Sequence, residues 1–384
     1  MKKKLKIVLL GLGTVGFGVY ELIRNNPFLN SQVEITKILV KNIEKKRNID
    51  DLSLITSKID ELFIEPIDVM IETMGGLTPA YELTKKALSS GIHVITSNKE
   101  LVNTYFYELL DLANAHQCSY LYEASVLAGI PIIKSLHHLV LTDEVISISG
   151  IFNGSTNYCL TRIFKDGYAF SDALNEAKKL GFLEADPKDD LEGFDALRKV
   201  MILAKIAYQI PILESLCSRR GIETLSDELI SYVESFGYII KLVSSSTLKN
   251  HELIIGVEPV LLKADHPYSI IDNEMNIIEI ESKLNGKMTW TGKGAGQIPT
   301  AEGILSDFAL IMNQQSYHLQ NTPSSDLFQS LNQTPAVYFV EMKKNSIPKS
   351  IINHQDGLLC QTKKIKAEML YPFLGDIKFY AKVV

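Results

Sequence analysis

No run of about 18 apolar residues occurs anywhere in this chain, so a helical membrane span is not expected. The N-terminus imitates a secretory signal only briefly. Met1-Lys-Lys-Lys4 leads into Leu5 and the apolar run Ile7 to Leu10, but Gly11, Gly13 and Gly16 cut that run and no small-x-small cleavage site closes it. A first buried strand explains the segment better. Basic charge is also lacking. A formal net charge of -6 argues against a general nucleic-acid binder, which needs a basic face to neutralise phosphates. A local basic pocket for a phosphorylated cofactor remains compatible with it. Cysteine is scarce as well. Cys118, Cys159, Cys217 and Cys360 are widely spaced and form no C-x-x-C pair, which excludes the usual zinc and disulfide frameworks. They are expected to be buried thiols in a reducing compartment, the cytoplasm. Internal repeats and low-complexity tracts are absent. What remains is ordinary soluble globular composition, with 46% apolar and 22% charged residues over 384 positions. That length suits about two or three domains.

The first 125 residues read as alternating strand and helix. Lys6 to Leu10 is a buried parallel strand, Gly11-Leu-Gly-Thr-Val-Gly16 a turn, and Phe17 to Ile23 helical. In this G-x-G-x-x-G order, Gly11 permits the tight turn, Gly13 lets backbone approach a pyrophosphate and Gly16 allows close helix–strand packing. The helix N-terminus would then offer its free N–H groups to the phosphate oxygens. A glycine turn kept only for packing would leave the same pattern. The second strand, Val33 to Val40, ends in Lys41-Asn42 with Lys45-Lys46-Arg47 beyond, where NAD enzymes usually carry an acidic residue for the ribose. Basic groups there favour NADP(H) over NAD(H), although a solvated turn would look alike. Strands are expected at Ile67 to Glu72 and His93 to Thr96, with a helix from Pro79 to Ser90 between them. Thr73-Met-Gly-Gly76 and Ser97-Asn-Lys99 then lie at the carboxyl ends of strands, where open α/β sheets bind ligands. Lys99 is there either as a functional cation or as an exposed loop charge.

Beyond Glu123 the texture changes. Tyr122 to Ile133 carries a single charge in a small and apolar stretch. Its carbonyls plus the Glu123 carboxylate could hold a hard cation, and the same residues would serve as a domain-crossing hinge. Val145 to Phe152 alternates like a half-buried strand and runs into Asn153-Gly-Ser-Thr-Asn157. Those small polar groups suit either substrate contacts or the capping of a helix from Tyr158 to Phe164. Ser171 is expected to cap a helix ending at Leu180, with Gly181 as its terminator.

The densest feature is Gly181 to Lys199, which crowds Glu184, Asp186, Asp189, Asp190, Glu192 and Asp195 together with Lys188, Arg198 and Lys199. A loop is expected over Glu184 to Asp189 and a helix from Asp190 or Leu191. At 3.6 residues per turn, Asp195 and Lys199 share a stripe with Ile202 and Ile206. Arg198 and Lys205 fall on another, solvated edge. A solvated i,i+4 pair stabilises by only ~0.3–0.5 kcal/mol. A charge pair on an isoleucine stripe points to burial with a catalytic purpose. Strand-like runs follow at Tyr238 to Val243, Glu252 to Val257 and Asn276 to Glu281, fitting a sheet covered by helices. Thr291 to Thr300 is a glycine turn entering a helix from Ala301 to Gln314, and a short unit from Ala336 to Val384 is strand-like at both ends.

Seven segments in this order resemble the homoserine dehydrogenase family across roughly the first 315 residues. They are GLGTVG (11–16), ETMGG (72–76), TSNKEL (96–101), YEASVLAGIPII (122–133), GIFNGSTNY (150–158), GFLEADPKDDLEGFDALRK (181–199) and TGKGAGQIPTA (291–301). The resemblance implies a Rossmann-type NAD(P)-binding domain over 1–125, with a return helix at about 300–315. An α+β catalytic and dimerisation domain with a mixed sheet would span 126–299, and a short extension 321–384. It implies interconversion of L-aspartate 4-semialdehyde and L-homoserine with NAD(P)H, on the way to threonine, methionine and isoleucine. It makes Lys199 the general acid/base and Asp195 its partner, with Lys99 between nicotinamide and substrate and able to share proton transfer. Glu184 and Asp190 would hold the substrate ammonium. Gly13, Thr14, Val15, Lys41, Thr73 and Gly296 would line the cofactor site. Glu123 and the carbonyls of Val126, Ala128 and Ile130 would hold a structural monovalent cation, sodium or potassium. A homodimer or larger homo-oligomer is the family precedent. Two departures stand out. The tail from Ala336 is too short for the ACT-type regulatory module of many members, which suggests a remnant used in oligomer contacts. Phe182 occupies a position that often carries a tyrosine.

Overall fold

The computed structural model describes residues 4–184, 186–317, 327–330 and 335–384. The polar stretch around Pro323-Ser-Ser325, where the C-terminal extension was expected to begin, lies outside the described residues. By contacts the chain divides into two compact units, residues 1–141 with 293–321 and residues 142–292 with 322–384. The sequence reading set the first boundary at 125/126. The chain continues in the first unit beyond that point because the Glu123 carboxylate accepts hydrogen bonds from the backbone of Ile133 and Lys134.

The first unit is built on six parallel strands, β1 (Leu5–Leu10), β2 (Val33–Leu39), β3 (Ile55–Thr56), β4 (Val69–Glu72), β5 (His93–Thr96) and β6 (Tyr120–Leu121). Their spatial order is β3-β2-β1-β4-β5-β6, the doubly wound order of dinucleotide-binding sheets. The strands read as near-continuous apolar runs because helices cover both faces; every residue of β4 is buried. The order reverses between β1 and β4, so the crevice at this switch point opens beside Gly11 and Thr73. Helices Thr14–Asn25 and Gln297–Met312 pack on each other. A Cβ on Gly18 would come within 3.1 Å of the Ala301 methyl, so the return helix lies tight against the first one.

The second unit carries a mixed sheet. Its strands are β7 (Val145–Ile151), β8 (Ser218–Arg219), β9 (Tyr238–Lys249), β10 (Glu252–Lys263), β11 (Met275–Ser282), β12 (Gly286–Lys293), β13 (Phe328–Ser330), β14 (Tyr338–Met342), β15 (Ile352–Asp356), β16 (Leu359–Thr362) and β17 (Ile377–Val383). The main path runs β12-β11-β7-β9-β10-β17-β14-β16-β15, with β8 and β13 also paired to β10. β9 and β10 form a long antiparallel hairpin, whereas β17 joins β10 in parallel. The last strands thus extend the sheet, around an apolar cluster of their own that includes Val340, Cys360 and Leu370. Helix Phe194–Tyr208 lies against β7, β9 and β10.

Three local expectations are corrected. The helix expected to end at Leu180 spans Phe170–Lys179, so Ser171 lies inside it and Ala169 holds the N-cap position without a side-chain bond. A short helix, Lys188–Leu191, occupies part of the expected loop, and the next helix begins at Phe194 rather than Asp190 or Leu191. The break falls at Gly193, whose φ of 83° is a left-handed conformation that favours glycine. Lys205 is buried, not solvated, because its helix is enclosed nearly all round. The four cysteines are free; Cys118, Cys159 and Cys360 are buried and Cys217 half-buried. Among the described residues no helix is long and apolar enough to cross a membrane.

Candidate active site

Gly11, Gly16 and Thr73 meet at the switch point of the first unit. Gly11 follows β1 with a φ of 96°, and the Thr73 hydroxyl donates to the carbonyls of Leu10 and Gly11 at 2.9 and 3.2 Å. A Cβ on Gly16 would lie 2.2 Å from the Gly11 carbonyl oxygen, so glycine there is a packing requirement. A Cβ on Gly13 would meet no atom within 4 Å. Among the described residues nothing needs Gly13 to lack a side chain, so the open space above it suits a ligand. Thr14 and Val15 open the helix whose N-terminus points at that space. Gly296 precedes the return helix, where Gln297 Nε2 donates to Glu21 at 3.1 Å. Lys41 is exposed just past β2, and Lys45 and Lys46 are exposed beyond it.

Lys99 is the first residue of helix Lys99–Thr104 and is half-buried. Its placement depends on two residues that the sequence reading passed over. Glu72 is fully buried at the end of β4, where one carboxylate oxygen accepts from the Thr96 hydroxyl at 2.5 Å and the other from Met74 N–H at 2.7 Å. Burial holds this carboxyl above the usual range, although the hydrogen bonds oppose it. Asn98 donates to the Gly76 carbonyl at 2.6 Å and caps the helix by accepting from Leu101 N–H. Together these bonds tie the turns after β4 and β5 into one frame. Both residues lie inside the ETMGG and TSNKEL motifs, whose glycines and lysine carry the more recognisable chemistry.

The expected cation loop is buried throughout at Glu123, Val126, Ala128 and Ile130. Leu127 between them has a φ of 52°, unusual for a buried leucine, which turns the chain sharply. The Glu123 carboxylate accepts from Ile133 and Lys134 N–H at 2.8 and 2.9 Å, and Asp307 accepts from Glu123 N–H at 2.7 Å. Burial first, then the neighbouring Glu123, pushes Asp307 up to about 8. Burial raises Glu123 too. The Lys134 ammonium is 4.0 Å from Glu123.

In the second unit the structure brings together Asp190, Asp195 and Lys199. Lys199 is buried, and its ammonium donates to Asp195 Oδ2 at 2.7 Å and to the Phe152 carbonyl at 2.8 Å. Asn153, buried at the end of β7, donates from one amide nitrogen to Asp190 Oδ1 at 2.6 Å and to Asp195 Oδ2 at 2.9 Å. It also caps helix Gly154–Asp166. Glu184 lies exposed ahead of the short helix. Arg198 turns outward to Asp189. Behind the Asn153–Asn157 turn, buried Lys241 donates to Asn157 Oδ1 at 2.8 Å and to the Ile271 carbonyl at 2.7 Å, which anchors that turn from below. Two elements separated by Gly193 thus deliver two carboxylates to one asparagine, with a buried ammonium beside them. Such a cluster can bind a cationic group and move a proton at once.

Comparisons with known proteins point to one family. Residues 11–123 match the family model for the homoserine dehydrogenase NAD-binding domain, and residues 131–309 match the model named homoserine dehydrogenase. Homoserine dehydrogenase of Bacillus subtilis (strain 168) is 37% identical over 317 residues, which is 81% of this chain and 73% of that protein. The enzyme of Neisseria gonorrhoeae is 34% identical, covering 79% of this chain and 72% of its own. A crystal structure of a homoserine dehydrogenase from Thiobacillus denitrificans superposes with a TM-score of 0.85 at 27% identity, covering 100% of this chain and 98% of that one. A hyperthermophilic archaeal homoserine dehydrogenase in complex with NADPH gives 0.70 at 28% identity, over 82% of this chain and 100% of that one. With a parallel dinucleotide sheet, a mixed second sheet and relatives of this similarity, the chain is an NAD(P)-dependent oxidoreductase and belongs to the homoserine dehydrogenase family.

Proposed function

We propose that the chain interconverts L-aspartate 4-semialdehyde and L-homoserine, a step toward threonine, methionine and isoleucine, in the cytoplasm and with NADP(H) preferred over NAD(H). The observation that carries the chemistry is the Lys199 ammonium. An ammonium has three N–H donors, and two of them are held by Asp195 and the Phe152 carbonyl. The third is left for a substrate oxygen. The bound nicotinamide supplies or takes the hydride at the substrate carbon. Lys199 gives a proton to the aldehyde oxygen in reduction and takes it back from the hydroxyl in oxidation, with Asp195 holding it in place. Asp190 and Glu184 complement the substrate ammonium; Glu184, being exposed, has to reach it from the loop side. Lys99 sits at the sheet end of the first unit, where a nicotinamide would be expected, and shares the proton transfer.

Gly11, Gly13, Thr14, Val15, Gly16, Thr73 and Gly296 cradle the dinucleotide, and the open space over Gly13 supports this. Lys41 faces the 2′-phosphate. The cation loop offers one carboxylate and three carbonyls, an all-oxygen set that suits a hard ion such as sodium or potassium. The two buried carboxylates, Glu123 and Asp307, favour positive charge there. The strands from Ala336 onward serve assembly into a dimer or larger oligomer. The direct test is Lys199→Ala, assayed by NADP reduction with L-homoserine. Turnover should fall ~10²–10⁴-fold while NADPH affinity is kept. Normal turnover in that variant would sink the assignment.

A further inference from the structure

Asn153 is a neutral residue inside a cluster of charges, and its hydrogen bonds are fully specified. Its Oδ1 accepts from Thr156 N–H at 2.8 Å and from the Thr156 hydroxyl at 2.9 Å. A flipped amide would set Nδ2 against the Thr156 N–H, donor against donor, so the helix cap fixes which end is which. Both amide hydrogens must then point to the other side, and both are used there. One goes to Asp190 on the short helix Lys188–Leu191, the other to Asp195 on helix Phe194–Tyr208. The Gly193 break lets those helices take separate directions, and Asn153 joins them again across it.

We infer that Asn153 is a positioning residue that couples substrate binding to proton transfer. This rests on the reading above, in which Asp190 meets the substrate ammonium and Asp195 steadies Lys199. The same nitrogen holds two carboxylates within two hydrogen bonds of each other, and its donors offset their mutual repulsion. Asp195 Oδ2 accepts from Asn153 and Lys199 together, so a shift of Asn153 moves the carboxylate that orients the ammonium. A shift of Asp190 is felt by Asp195 through one atom. The ammonium of the substrate and the ammonium of Lys199 are thereby held at a fixed separation, which is what lets the enzyme aim a proton at one particular oxygen.

The cap and the bridge belong to opposite ends of the amide, so they can be separated. Serine caps a helix about as well as asparagine, but its single short hydroxyl cannot reach both carboxylates. Asn153→Ser should therefore still fold, melting below the wild type by the two lost bonds to carboxylates but staying native at the assay temperature. Its kcat should fall by about 10²-fold, as expected when reacting groups are slightly misplaced. Its KM for L-homoserine should rise by about tenfold, from the lost bond to a charged group, with the affinity for NADP unchanged. In an Asp190→Asn background the same change should add little to KM, because the two substitutions break one linkage. A folded Asn153→Ser enzyme with wild-type kcat and KM would overturn the inference alone. So would full additivity with Asp190→Asn, or a loss of activity that merely follows a lower melting temperature. A wild-type enzyme that fails to oxidise L-homoserine sinks the functional reading and this inference with it.

Discussion

Replacing Lys205 with methionine should stabilise the second unit at neutral pH. Lys205 is only 6% exposed, inside a helix whose neighbours from Val200 to Ile206 are all buried. Burial pushes its ammonium down from 10.5 to about 8. The folded value lies below the unfolded one, so between about 8 and 10.5 the unfolded chain keeps a proton that the folded chain has released. Stability therefore climbs as pH rises through that window, and the destabilisation is complete below about 8. At about 1.4 kcal/mol for each tenfold change, the gap corresponds to about 3 kcal/mol as an upper figure. Methionine keeps most of the apolar stem and adapts to its surroundings. For a unit of this size the gain would raise the melting temperature by up to roughly 10 °C at pH 7. Calorimetry of both proteins from pH 7 to pH 10.5 tests this, since the advantage should shrink as Lys205 loses its proton. Lys241 is likewise pushed down to about 8 by burial, and steepens the wild-type curve in the same sense. Comparison with the variant isolates Lys205. A variant that melts at or below the wild type at pH 7, or an advantage independent of pH, refutes the reasoning.

Other expectations concern the cofactor side. Gly13→Ala should leave the melting temperature unchanged, because the new methyl meets nothing in the protein, yet weaken NADPH binding; unchanged affinity by titration calorimetry would count against the phosphate cradle. Gly16→Ala places a methyl 2.2 Å from the Gly11 carbonyl oxygen and should destabilise by about 1–3 kcal/mol, read by thermal melting. Lys41→Glu should lower the preference for NADPH over NADH by about tenfold in kcat/KM, less at high salt, as an exposed charge contact would. An unaltered ratio would return Lys41 to the solvated turn.

The sequence made most of the first unit legible because parallel buried strands are short apolar runs and the glycine turn has a single chemical logic. His93 to Thr96 was readable to the residue. The Asp195–Lys199 pair was readable too, since two charges four residues apart on an isoleucine stripe have nowhere to go but inward. Lys205 misled because a helical projection presumes one solvated face, and helix Phe194–Tyr208 has scarcely any. The apolar run Val200 to Ala204, just before Lys205, already hinted at enclosure. Glu72, and the bridge that Asn153 makes beyond its cap, were hidden for another reason. Each acts through partners far along the chain, Thr96 in one case and Asp190 with Asp195 in the other, and spacing within a motif carries no trace of them.

The return helix Gln297–Met312 has a consequence for synthesis. It packs on helix Thr14–Asn25, so the unit that would bind the dinucleotide is interrupted by some 150 residues of the other unit. On the ribosome the GLGTVG turn emerges long before its covering helix, which comes only after β7 to β12 have been made. The early segment must wait with Gly18 and its apolar neighbours uncovered. A nascent chain arrested near residue 290 should therefore be more exposed to chaperones in its first third than in the stretch just synthesised.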